Sequence, residues 1–170
     1  MEFELTQEFP AGLDRLWAVF GQPGYPQAKY AALGASAVRL HRFEATAQAI
    51  EVELERDVPV QATALPAWAR GLIGARQTLR HRTAWRRDSP GQATAELEIS
   101  PMGLPVRAQA VGSLIETPAG ATQMRLTWRV RSAVPVLGAR VERLFAGQIR
   151  EALAADHAYT LRYLQQTAPD

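Results

Sequence analysis

Few residues in this chain have the types that acid/base or metal chemistry needs. The three histidines, His41, His81 and His157, stand far apart without the local spacing of metal ligands. Cysteine is absent, which excludes disulfides, thiolate nucleophiles and cysteine-bound zinc. No GxGxxG, P-loop, GxSxG or HExxH pattern occurs, so no metal, nucleotide site or resident cofactor is expected. Two residues remain in informative settings. His81 lies in RHRTAWRR, residues 80–87, where five basic side chains and a tryptophan occupy eight positions. On an extended strand the side chains alternate, which puts Arg80, Arg82 and Arg86 on one face and His81, Thr83 and Trp85 on the other. The other residue is Asp156, in the longest periodic segment of the chain.

That segment, from about Leu137 to Gln166, has helical spacing and would extend roughly 45 Å at the rise of an α-helix. Its apolar stripe runs through Val141, Phe145, Ile149, Ala152, Tyr159 and Tyr163, flanked by Leu153, Leu164 and Leu144, with Arg140, Arg143, Arg150 and Glu151 opposite. Asp156 falls near the centre of the stripe. A carboxylate buried there needs an arginine, a tyrosine hydroxyl, a backbone donor or a polar group on a ligand, because leaving it unpaired costs several kcal/mol or raises its pKa.

The elements that position these residues follow from period and punctuation. EFELTQEF sets Phe3, Leu5, Gln7 and Phe9 against Glu2, Glu4, Thr6 and Glu8, a half-buried strand stopped by Pro10. Leu13, Leu16, Trp17 and Phe20 then repeat at helical spacing up to Gly21, and YPQAKYAALG gives a second short helix. Strands are predicted at 36–44, 48–57, 77–87, 93–100, 106–117 and 122–132, with DSPG and TPAG as turns. Residues 58–76 interrupt the alternation and are expected to form a flap carrying a short helix-like piece around Trp68, Leu72 and Ile73. Met102 and Leu104 would border the same mouth.

Nineteen basic residues against seventeen acidic ones leave a net charge of +2, a weak footprint for a nucleic-acid-binding protein. MEFELTQEF has neither a basic stretch nor an apolar run suited to export, and no run of 18 uncharged apolar residues occurs. A soluble cytoplasmic protein without stable membrane insertion is expected, folded as one domain over residues 1–170 in the absence of repeats or linkers.

The order of one strand, two short helices, about six strands in meander and a long C-terminal helix resembles the helix-grip fold of the START-like superfamily (SRPBCC). Its members include lipid-transfer domains, the birch pollen allergen group and bacterial polyketide cyclases. EFELTQEFPAGLDRLWAVF looks like that superfamily's usual opening, and more narrowly the chain is similar to a bacterial START-like family of unknown function. The resemblance implies an α+β fold in which a curved antiparallel sheet of about seven strands wraps around the C-terminal helix. It further implies an apolar cavity between the two for a small hydrophobic or amphipathic molecule, lipid or polyketide-like. Candidates for the cavity wall are His81, Trp85, Met124, Trp128, Trp68, Leu72, Phe145, Ile149 and Asp156. A non-catalytic binder or carrier is the first expectation. The alternatives are a cyclase- or hydrolase-type enzyme with His81 and Asp156 as acid/base groups, and an interaction module using the arginine-rich sheet face.

Overall fold

The structure is a computed structural model and describes residues 1–61, 63 and 65–167. β1 (Glu2–Phe9) leads into α1 (Leu13–Phe20) and α2 (Tyr25–Ala32). Six strands follow: β2 (Ala37–Ala45), β3 (Ala49–Pro59), β4 (Arg76–Ser89), β5 (Gln92–Pro101), β6 (Val106–Glu116) and β7 (Thr122–Ser132). α3 (Gly138–Gln166) ends the fold. The strands form one antiparallel sheet in the order β1-β7-β6-β5-β4-β3-β2, so the first strand closes onto the last while α1 and α2 span from one sheet edge to the other.

Alternation decides the faces. Phe3, Leu126, Trp128, Val130, Leu114 and a run of alanines at 93, 95, 108 and 110 are buried on the inner face. The small side chains leave depth there for the indole of Trp128, which stacks on Phe3 with ring centroids 6.2 Å apart. α3 lies over β7 and β1 with Val141, Phe145, Ala146 and Ile149 buried. At Gly112, opposite Leu126, the neighbouring strand comes so close that an added Cβ would lie 1.9 Å from the carbonyl oxygen of Arg125. Only glycine fits this approach.

Arg80, Arg82 and Arg86 of RHRTAWRR face outward, whereas Arg87 lies over the Trp17 ring and pairs with Asp14 of α1 at 2.6 Å. Register places Arg80 beside Glu55 and Arg82 beside Glu53. Arg80 binds Glu55 at 2.9 Å, Arg86 approaches Glu51 at 3.4 Å, and Arg42 of the edge strand meets Glu51 at 3.0 Å. Charge on the edge strand also discourages pairing with another sheet. α1 starts at Gly12, which offers no side-chain cap; instead the Glu116 carboxylate at the end of β6 accepts the Leu13 N–H at 2.8 Å.

Residues 65–75 depart from expectation. In place of a helix-like piece they form consecutive turns, with Ala69 N–H donating to Pro66 O and Ile73 N–H to Ala69 O. Leu65, Ala69 and Ile73 are buried, so the segment plugs the sheet over the start of α3. Alanine at 62 and 64 lies outside the described residues.

Candidate functional site

α3 packs on β7 and β1, and two small adjoining chambers lie between it and the strands β3 and β4. The first, about 100 Å³, lies under α1 and α2 and is walled by Phe20, Tyr25, Trp85, Met124 and Leu126 among others. The second, about 150 Å³, lies under the middle of α3, among Leu33, Leu79, Phe145, Ile149 and Ala152. Tyr30, His81, Ile99, Leu153 and Asp156 line both and form the partition between them.

The partition is polar because three elements bring charge to it. α2 supplies Lys29, one turn after Tyr25, and its ammonium binds the Asp156 carboxylate of α3 at 2.7 Å. Both are largely buried, with side chains 14% and 24% exposed. The required partner of Asp156 is therefore a lysine, a type the sequence reading did not consider. β3 supplies Arg56, which continues the inward alternation of Ile50, Val52 and Leu54. Its Nε–H donates to Nε2 of His81 at 2.9 Å, and its guanidinium lies 4.5 Å from the Tyr30 ring centre. Lys29 approaches the same ring at 4.8 Å.

These contacts fix the state of His81. Burial first, then the nearby charges of Arg56 and Lys29, hold its pKa well below the usual value of 6.5. The ring is neutral, and since Nε2 accepts from Arg56 the proton sits on Nδ1. Burial pulls the Lys29 ammonium toward neutrality, but the Asp156 carboxylate more than offsets this, with a net upward shift. Burial also pushes the Tyr25 phenol up to about 12, so it stays protonated and shares a 2.8 Å hydrogen bond with Thr160 of α3. The Gln7 amide of β1 donates to Leu153 O at 2.9 Å, tying sheet to helix at the first chamber.

Six of the nine residues singled out in the sequence line the chambers or their partition. His81 and Asp156 meet at the partition, Trp85 and Met124 line the first chamber, and Phe145 and Ile149 line the second. Trp68 and Leu72 do not reach these chambers; they close on a space of only about 10 Å³ with Val141, Leu144 and Phe145. Leu104 borders that space too, whereas Met102 is 49% exposed. Trp128, like Trp85 a candidate for the cavity wall, is fully buried against Phe3, and its Nε1–H has no acceptor among the described residues. Sequence reasoning passed over Lys29, Tyr30 and Arg56. Arg56 was legible from the unbroken alternation through residues 50–56, and Lys29 from its four-residue spacing to Tyr25.

A seven-stranded antiparallel sheet gripping a long C-terminal helix behind two short helices is the START-like helix-grip fold, and solved structures agree. A START superfamily protein from Mycobacterium smegmatis aligns over 96% of this chain and 98% of its own, with a TM-score of 0.55 and 17% identity. TTHA0849 from Thermus thermophilus aligns over 99% and 100%, with a TM-score of 0.63 and 10% identity. Norcoclaurine synthase from Thalictrum flavum, solved with dopamine and hydroxybenzaldehyde, aligns over 95% and 87%, with a TM-score of 0.55 and 12% identity. Within this fold the chain belongs to the family described as a protein of unknown function, DUF2505, which matches residues 4–164. No curated protein matches it. No described helix is long and apolar enough to cross a membrane.

Proposed function

We propose that this protein binds and carries a small hydrophobic or amphipathic molecule in the chambers between β3, β4 and α3. The observation that carries this reading is the pair of adjoining, mainly apolar chambers meeting at a polar partition. An apolar cavity on the order of 150 Å³ is large enough to admit a benzene-sized molecule, and mobility of Lys29 or Tyr30 would join the two volumes. A neighbour of the same fold has been solved in complex with dopamine and hydroxybenzaldehyde, which supports a small-molecule guest.

The chemistry of the partition favours carriage over catalysis. A general base needs a free lone pair, yet Nε2 of His81 already accepts from Arg56, and burial opposes the protonated form that a general acid would use. Asp156 is engaged with Lys29. The outward arginines Arg80 and Arg86 are matched by Glu55 and Glu51, which weakens the case for a polyanion-binding face.

Native mass spectrometry of gently purified protein, followed by solvent extraction, tests this directly. A co-purified lipid or polyketide-like molecule at fixed stoichiometry is expected. A clean apo mass, together with no thermal stabilisation by a panel of hydrophobic ligands, would overturn the proposal.

A further inference from the structure

We infer that the guest carries a carboxylate, and that Arg56 is its anchor. The inference rests on the carrier role proposed above and names the chemistry of the molecule carried.

Arg56 is 8% exposed and borders the second chamber. Its neighbours answer its charge only in part, since the Asp156 carboxylate attracts it from a distance but is itself paired with Lys29. The Nε–H is taken by a neutral imidazole and one face of the guanidinium by the Tyr30 ring. No carboxylate among the described residues pairs with it, and its terminal nitrogens have no protein acceptor there. Asp156 is bound to Lys29, and Glu98, the other carboxylate of the chamber walls, is held by Gln109 at 3.0 Å and Arg107 at 3.4 Å. The interior cluster of Lys29, Arg56 and Asp156 therefore holds one positive charge more than it balances. A lysine could shed that charge by deprotonating, but a guanidinium cannot at any physiological pH. A guanidinium without an ion pair at the wall of a mainly apolar chamber is costly to the empty protein and becomes favourable when an anion arrives.

The arrangement also specifies which anion. One excess charge calls for a monoanion, and the free terminal edge of a guanidinium presents two parallel N–H groups that match a planar carboxylate. The Nδ1–H of His81, fixed by the Arg56 bond at Nε2, supplies a further donor on the same wall. Phe145, Ile149, Leu79 and Leu33 then receive the apolar remainder.

Two matched series test this by isothermal titration calorimetry at pH 7.5: decanoate against decan-1-ol, and 2-naphthoate against 2-naphthylmethanol. In the unaltered protein at least one carboxylate should bind about tenfold or more tightly than its alcohol. In Arg56→Met, which keeps the apolar stem, the preference should shrink to about threefold or less while alcohol affinity holds. The ligand-free variant should melt at or above the temperature of the parent, because the unpaired charge is gone; a merely structural arginine would lower it. Equal binding of acid and alcohol by the unaltered protein overturns the carboxylate anchor and leaves the carrier role standing, and this comparison needs no variant to fold. A preference that survives Arg56→Met removes Arg56 from the role. If none of the four probes binds, the carrier role falls as well.

Discussion

The two halves of this sheet hold α3 by different means. Under the first half of the helix, β7 and β1 meet it with buried Phe3, Trp128, Val130, Val141 and Ala146, and charge stays at the rim, where the Met1 ammonium pairs with Glu142 at 2.7 Å and Arg150 covers the Phe3 ring at 4.3 Å. Under its middle, β3 and β4 stand off, and the gap is spanned by Tyr30, Arg56, His81, Lys29 and Asp156 around open space. One half is stabilised mainly by apolar burial, with its ion pair at the edge. The other keeps groups that oppose burial, which native proteins retain mainly where a site requires them. Under the proposed carrier role, stability and function would be separated along a single helix.

The contrast can be broken most severely in the packed half. Gly112→Ala forces a Cβ into the Arg125 carbonyl, where backbone must move, and should cost about 4 kcal/mol or more in a urea unfolding titration. A loss under 1 kcal/mol would mean that β6 and β7 are not so tightly apposed.

In the polar half, coupling replaces packing. Asp156→Asn leaves the Lys29 ammonium without its partner and should cost about 2 kcal/mol, less than for a fully buried pair because both side chains retain some exposure. Lys29→Met combined with Asp156→Leu should cost less than the two single changes added together. Strict additivity would show that the pair does not cross the partition as a unit.

His81 provides a pH signature of the same half. Its folded pKa lies well below the ordinary 6.5, so between the two values the unfolded chain takes up a proton that the folded chain refuses. Stability should be level above about pH 6.5 and fall below it by about 1.4 kcal/mol per pH unit for this group. His81→Gln should flatten that part of the curve; an unchanged slope would place the titration elsewhere.

The smallest effect belongs to charge on the outer face. Arg80→Ala removes a cross-strand pair with Glu55 whose arginine is 53% exposed, and the melting temperature should hardly move. A shift of several degrees would mean that the outer ladder fastens β3 to β4 and takes part in holding the chambers open.

The elements were legible in the sequence because period and punctuation carry them. Strict alternation located seven strands to within a residue or two, and the 3.6-residue stripe located α3. The site was only partly legible. Asp156 announced itself by standing in an apolar stripe, and His81 by sharing a face with Trp85. Their partners come from elements distant in sequence, and which cation reaches Asp156 depends on how α2 lies across the open side of the sheet. Trp128 and Trp85 have similar sequence settings, each on an apolar strand face. Their fates differ because β7 lies under α3 while β4 lies under the gap. The segment around Trp68 has a helix-like pattern but contains Pro66, Gly71 and Gly74, and its tertiary contacts resolve it into turns.

Trp85 gives the molecule an optical readout of its own interior. Its indole forms a wall of the first chamber and stacks on Phe20 with ring centroids 5.4 Å apart. Trp17, by contrast, has its Nε1–H bound to Thr46 O, and Trp128 is sealed in the core. A guest entering the first chamber changes the surroundings of Trp85 and leaves those two nearly untouched. Emission from a Trp17→Phe, Trp68→Phe and Trp128→Phe background would therefore report filling and emptying in real time, without a label.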